Sequence, residues 1–196
     1  MNTPRLSADA RREQILDVAI DVFGRAGYFG ASMNDIAEAA GVTKPVLYQH
    51  FDSKSDLYSA LLEEVGARML DAIAKATADA TNGKQQTEQG FLAYFRWVAH
   101  RHDEFMLLFG GSAHHDGEFS AQVRRITDDA AAAIASLISV DIEPTHRSTL
   151  AHAIVGLAEG ASRRLVGLGE AFEPDEIARE VSALAWAGLR AISPAG

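Results

Sequence analysis

Apolar residues recur every three to four positions along most of this chain, and no stretch alternates apolar with polar residues as a strand would. The pattern predicts an all-α fold. In the first segment Ile15, Val18, Ala19, Val22, Phe23 and Ala26 fall on one helical face, with Ser7 placed to cap the start and Gly27 to follow the end, which gives a helix over Ser7 to Ala26. Ser32 with Asp35 has the form of a capping box opening a short helix that carries Ile36, Ala37 and Ala40 and stops at Gly41. Thr43 caps a second short helix, with Pro45 in its first turn, where a missing N–H costs little. Ser53 with Asp56 repeats the capping pattern. It opens a long helix with apolar positions Leu57, Leu61, Leu62, Val65, Met69, Ala72 and Ile73.

Beyond a polar break at Thr81 to Gln86, the aromatic residues Phe91, Tyr94, Phe95, Trp97, Phe105 and Phe109 crowd one segment. Gly110 to Gly117 reads as a loop. Helices follow from about Phe119 to Ile138 and from about Pro144 to Leu168, and Pro174, followed by Asp175 and Glu176, starts the last one well. The pattern amounts to about nine helices.

Two short helices joined by a turn containing Gly41, preceded by an amphipathic helix and followed by a long one, have the layout of a helix-turn-helix. In that motif the second helix enters the major groove of DNA. Ile36, Ala37, Ala40, Val42, Val46, Leu47 and Phe51 are placed to lock the helices together, leaving Thr43, Lys44, Gln49 and His50 outward. The run Gly27-Tyr28, Ser32-Met33-Asn34-Asp35-Ile36-Ala37-Glu38-Ala39-Ala40-Gly41-Val42-Thr43 and Leu47-Tyr48-Gln49-His50-Phe51-Asp52-Ser53-Lys54-Ser55-Asp56-Leu57 resembles the signature of the TetR/AcrR family of transcriptional regulators. The likeness covers residues 11–71. It departs at Pro45, where the family more often has a small residue; a proline pushes the residue before it away from α geometry, which sets Lys44 at the helix edge.

The resemblance implies a helix-turn-helix DNA-binding domain over 1–55 and a ligand-binding and dimerisation domain over 56–196. It implies that Ser32 and Thr43 offer hydroxyls and helix-start amides to phosphates, that Lys44 reaches a phosphate or a guanine edge, and that Gln49 reads a base, adenine being its bidentate partner. Tyr48 and His50 would bind the DNA backbone, and Lys54 would pin a phosphate at the start of the long helix. Arg5, Arg11 and Arg12 would add contacts from an N-terminal arm. Each residue also has a plainer reading: Ser32 and Thr43 as caps only, Tyr48 as packing, His50 as solvated surface.

In the C-terminal region, Leu150 to Ala158 holds no charged residue, and Val181 to Ile192 holds Arg190 alone. Helices apolar on nearly all sides are buried or lie at interfaces. A two-fold four-helix contact, as the resemblance implies, would bring Ala153, Gly156, Gly160, Ala185 and Gly188 into close backbone approach and fill the space with Leu157, Leu184, Trp186 and Leu189. The resemblance also implies a ligand chamber among the central helices, with Phe91, Tyr94, Phe95, Trp97 and Phe109 as lining and Met69 as an adaptable wall. Such a lining suits a hydrophobic small molecule. Each of these aromatics could equally be ordinary core.

Composition narrows the field further. The chain has 196 residues, 47% of them hydrophobic, enough to bury a core, and no cysteine, which excludes disulfides, thiolate metal sites and thiol nucleophiles. Residues Met1 to Arg12 lack the apolar run of a secretory signal, and no stretch approaches a membrane span, so a soluble cytoplasmic protein is expected. The net charge of −9 is unevenly spread. Residues 1–55 set six basic side chains (Arg5, Arg11, Arg12, Arg25, Lys44, Lys54) against seven acidic ones (Asp9, Glu13, Asp17, Asp21, Asp35, Glu38, Asp52), so almost all of the negative charge lies in the remainder. An acidic body behind a nearly neutral N-terminal region weakens non-specific adhesion to nucleic acid and orients that region toward it.

No nucleophile elbow, phosphate loop or HExxH motif is present, so no catalytic residue is expected. His100 and His102 point to different sides of a helix, His114-His115-Asp116 lies in a loop, and the pair Asp128-Asp129 suits solvent, so neither a metal nor a cofactor is expected. The partners expected are double-stranded operator DNA, a second copy of the chain and a hydrophobic effector, with no membrane. The function implied is a repressor released from a palindromic operator by a small apolar ligand. A regulator or activator that answers to a protein partner, or to no ligand, remains an alternative, and an all-helical enzyme or metal protein a more distant one.

Overall fold

A computed structural model describes residues 7–110, 117–167 and 172–192. Among these the structure is all-helical: α1 (Ala8–Gly30), α2 (Met33–Ala39), α3 (Lys44–Tyr48), α4 (Lys54–Thr77), α5 (Gly83–His100), α6 (His102–Phe109), α7 (Gly117–Leu137), α8 (Pro144–Gly167) and α9 (Pro174–Leu189). Arg5, most of the expected loop including His114, His115 and Asp116, and Leu168 lie outside the described residues. The aromatic segment is two helices, broken at Arg101, whose N–H bonds the Trp97 carbonyl in a non-helical conformation.

The expected helix boundaries are set by local chemistry. Ser7 caps α1 by accepting from the Ala10 N–H, and Gly27 interrupts the same helix with φ +67°, a left-handed conformation that favours glycine. Gly41, at φ +63°, turns the chain after α2; its N–H bonds the Glu38 carbonyl, and the Val42 N–H reaches back to the Ala37 carbonyl. Ser53 Oγ accepts from the Asp56 N–H, while Asp56 accepts from the Asp52 N–H, so the start of α4 is capped from both directions.

The chain divides into two compact units. The first, here the head, is built from the described residues of 1–65 and 103–122; the second, the body, from those of 66–102 and 123–196. The head therefore takes more of the chain than residues 1–55: it includes the first half of α4, nearly all of α6 and the start of α7. Its core is formed by Ile15, Leu16, Ala19 and Phe23 of α1, Ile36 of α2, Leu47 of α3, Phe51, and Leu57, Leu61, Leu62 and Val65 of α4, all buried. Each of the larger side chains among them contributes about 1.5–3 kcal/mol by leaving water.

An aromatic cluster adds to this core. Tyr58 is fully buried, with its ring 4.9 Å from Phe23, 5.0 Å from Tyr28 and 4.7 Å from Phe119 of α7. Beside it, Ser59 Oγ donates to Gln122 Oε1, and Gln122 Nε2 returns a bond to the Ser59 carbonyl.

In the body, α5 and α9 pack along one another, with Arg96 of α5 forming a two-pronged ion pair with Asp175 in the first turn of α9 at 2.7 and 2.6 Å. Small residues permit close helix contacts here. A Cβ on Gly66 would stand 2.9 Å from the Ile126 side chain, and one on Gly83 would stand 3.3 Å from the Trp186 ring.

Candidate nucleic-acid interface

The helix-turn-helix has its apolar residues inward and its polar residues outward, as its helical period requires. Leu47 is completely buried, and Ile36, Ala37, Ala40 and Phe51 are nearly so. Lys44 and Tyr48, one turn apart on α3, are exposed, Tyr48 at 43%. Thr43 precedes α3 at the capping position, exposed, and its hydroxyl makes no capping bond. Gln49 is exposed at the C-terminal end of α3, and His50 is half-buried. Pro45 sits in the first turn with Lys44 as the first helical residue, so the proline starts the helix without displacing Lys44 from it. Thr43, Lys44, Tyr48 and Gln49 thus form one polar surface along and beside a short helix, the form of a base-reading element.

Four of the expected contact residues make bonds or ring contacts within the head itself. Lys54 Nζ donates to the backbone carbonyls of Tyr28 at 2.8 Å and Ala31 at 3.0 Å and lies 4.5 Å from the centre of the Tyr28 ring. Its ammonium therefore closes the carbonyl end of α1, where a cation is favoured. Ser32 is a true capping box: its hydroxyl accepts from the Asp35 N–H and donates to Asp35 Oδ2, and its N–H bonds the same carboxylate. The hydroxyl hydrogen is committed to the Asp35 carboxylate. Arg12 lies 4.9 Å over the Phe51 ring and Arg11 donates to Gln14 Oε1. Both belong to α1 rather than to an arm.

Of the expected chamber residues, Phe91, Tyr94, Phe95 and Trp97 are all buried on α5 in the body, as is Met69 on α4. Phe91 stacks on Phe95 at 6.2 Å, and the Tyr94 ring lies 5.5 Å from Phe95 and 6.1 Å from Trp97. Phe109 belongs to the head, with its ring 5.3 Å from that of Phe105. Residues that the periodicity did not single out stand near Tyr94: Ser162 and Glu159 of α8. Burial pushes the Tyr94 phenol above its ordinary range. It also raises the Glu159 carboxyl, against the pull of Arg163 and of a hydrogen bond from Thr127.

The expected dimer residues divide by exposure. Ala153, Gly156, Leu157 and Gly160 of α8 are exposed, as are Gly188 and Leu184 of α9, the last at 63%. Leu189 is half-buried. Ala185, at 6%, is already buried inside the chain, and half-buried Trp186 packs over Gly83 at the start of α5. Among the described residues no three His, Asp or Glu side chains converge on a metal position, and no helix is long and apolar enough to cross a membrane. His100 Nδ1 is bound to the Arg96 carbonyl, and exposed Asp128 pairs with His152 at 3.2 Å.

Residues 15–61 match the family model of bacterial regulatory proteins of the tetR family, and residues 84–188 match the model of the tetracyclin repressor-like C-terminal domain. The chain belongs to the TetR family. It is 32% identical over 187 residues to the HTH-type transcriptional activator FasR of Mycolicibacterium smegmatis, covering 94% of this chain and 85% of that one. A TetR-like transcriptional regulator from Rhodococcus sp. RHA1 superposes with a TM-score of 0.78 at 28% identity, over 96% of this chain and all of the other. The fold is also that of Bacillus subtilis FadR, solved in complex with stearoyl-CoA, with a TM-score of 0.79 at 16% identity over 90% of this chain and 98% of that one. This TetR-family chain is a DNA-binding transcriptional regulator and not an enzyme.

Proposed function

We propose that the protein is a cytoplasmic homodimeric repressor, bound to a palindromic operator through Thr43, Lys44, Tyr48 and Gln49 and released by a mainly apolar small molecule held in the body. The observation that carries the assembly is the face of α8 and α9 formed by Ala153, Gly156, Leu157, Gly160, Leu184 and Gly188, apolar yet exposed in one copy of the chain. A large exposed apolar surface of this kind signals a partner, and a self-complementary face on two neighbouring helices suits a two-fold contact. The buried aromatic set on α5 supports an apolar effector. FadR, which shares the fold, was solved with stearoyl-CoA, and an apolar chain is the kind of occupant that Phe91, Phe95 and Met69 would accept.

Release follows from differential affinity. Helix α4 is continuous from Lys54 in the head to Thr77 in the body, so an effector that favours a different tilt of α4 changes the spacing of the two recognition helices. A second reading has its own observation: FasR, alike over most of its length, is named an activator. Footprinting on the DNA flanking the coding region tests the first part, with protection of an inverted repeat expected, its half-site centres about 34–36 Å or a multiple apart. Protection of a single asymmetric site would exclude the dimer. Transcript levels after gene deletion then give the sign: a rise supports repression, a fall the activator.

A further inference from the structure

The body contains two hydroxyls that its own packing leaves unanswered. Tyr94 on α5 is 6% exposed and Ser162 on α8 is fully buried, and among the described residues neither Tyr94 Oη nor Ser162 Oγ has a hydrogen-bond partner. They are neighbours, the Ser162 hydroxyl standing near enough to favour the ionised phenol against its burial, yet their contact does not reach the geometry of a hydrogen bond. Leaving a buried hydroxyl unpaired costs about 1–3 kcal/mol, so two together point to a third group that answers both.

The surroundings restrict what that group is. Glu159 is already engaged, with one oxygen 3.2 Å from the Arg163 guanidinium and the other 3.4 Å from Thr127 Oγ1, so the charged pair beside the hydroxyls is internally compensated. A further full charge of either sign would be desolvated there without a counter-charge. On the other side the Tyr94 ring meets Phe95 and Trp97, an apolar boundary. Two O–H donors beside a compensated ion pair and aromatic rings suit a neutral oxygen acceptor on an apolar frame.

We propose that Tyr94 and Ser162 form the polar end of the effector site and together donate hydrogen bonds to one neutral carbonyl oxygen, a ketone, ester or thioester, on an otherwise apolar molecule. This rests on the body being an effector chamber. The competing occupant is a structural water, which would satisfy the same hydroxyls without selecting any ligand.

The test uses the full-length protein and three probes of equal chain length: methyl nonyl ketone, undecane and undecanoate. Binding is read by tryptophan fluorescence, for which Trp97, 6.1 Å from the Tyr94 ring, is a built-in reporter. The wild type is expected to bind the ketone about tenfold more tightly than the alkane, the size of a neutral hydrogen bond. Tyr94→Phe and Ser162→Ala should each remove most of that preference, leave alkane affinity and ligand-free operator affinity unchanged, and leave Tm equal or higher because an unpaired buried hydroxyl is gone. Equal affinity for ketone and alkane, or tightest binding of undecanoate, would overturn the assignment while leaving the chamber intact. A lowered Tm in both variants with the ketone preference retained would identify a structural water and also overturn it. Failure of all three probes to bind saturably would remove the chamber reading, and this inference with it.

Discussion

In the head, the large apolar side chains from Ile15 to Phe23, from Ile36 to Phe51 and from Leu57 to Val65 turn inward, while the exposed residues of α3 are polar or amphipathic. In the body, α8 buries only Ala151, Ala158 and Ser162, and α9 only Ala178, Ser182 and Ala185. Larger apolar groups on the same helices, Leu157 and Leu184, face outward. The head turns most of its large side chains into one core within a single chain, whereas the body leaves the apolar face of α8 and α9 uncovered and holds the two buried hydroxyls of Tyr94 and Ser162. The difference fits the proposed roles: the head presents a polar reading surface to DNA, and the body has an apolar face and buried hydroxyls that the proposed second copy and ligand would answer.

The largest effect should come from reversing the chemistry of the uncovered face. Leu184→Glu places a carboxylate where a dry contact is expected, at a cost of several kcal/mol, so dimerisation should weaken by more than about a hundredfold. Because Leu184 is exposed in the single chain, the monomer should remain folded. Sedimentation should show monomer at micromolar concentration with helical circular dichroism intact; a persistent dimer would place the interface elsewhere. Trp186 is the wrong site for this test, since it packs over Gly83 and a charge there damages the subunit itself.

The next effect probes the completeness of the head. Lys54→Met deletes the donor to the Tyr28 and Ala31 carbonyls, so stability should fall by about 1–3 kcal/mol and Tm by several degrees. The slope of log affinity against log salt should hardly change. Loss of about one unit of slope with unchanged Tm would restore Lys54 to the phosphates.

What the sequence makes legible follows the same division. Caps, glycine stops and the inward stripe of the head depend on residues within about one turn of each other, so Ser7, Ser32 with Asp35, Gly41 and Ser53 with Asp56 could be placed from the chain alone. The work of Lys54 could not, because its acceptors are backbone carbonyls 26 and 23 residues away that any sequence would supply. Nor could the meeting of Tyr28, Tyr58 and Phe119, which joins three separated helices. In the body, the second half of α9, from Val181, is apolar nearly all round, so period alone does not tell which of its faces turns inward. Packing within the body decides it, burying Ala185, setting Trp186 over Gly83 and leaving Leu184 out. The nearness of Tyr94 to Ser162 is hidden as well, since they stand on different helices and a serine beside Arg163 and Arg164 carries no sign of its distant neighbour.

A smaller and more local effect is expected at the reading surface. Gln49→Ala should relax preference at one base position by about 1–3 kcal/mol and leave affinity for random DNA nearly unchanged. Binding to a set of single-base operator variants measures it. A uniform loss across all of them would make Gln49 a backbone contact.

The smallest effect tests whether the surface electrostatics of the body matter to its stability. Arg96 and Asp175 are both about half exposed, and their hydrogen-bonded contact lowers the Asp175 carboxyl from its ordinary range and raises the Arg96 guanidinium. A carboxyl whose pKa is depressed on folding contributes stability that is fully present above its unfolded value, near about 4, and is lost as pH falls through the lower folded value. The contribution should therefore be flat at neutral pH and disappear only in acid. Solvent screening makes it small despite the two-pronged geometry, and salt should reduce it further. Asp175→Asn should lower Tm slightly at neutral pH and low salt, and the gap between variant and wild type should close below about pH 4. A gap that stayed constant through the acid range would show that Asp175 acts by starting α9 rather than by its charge pair with Arg96.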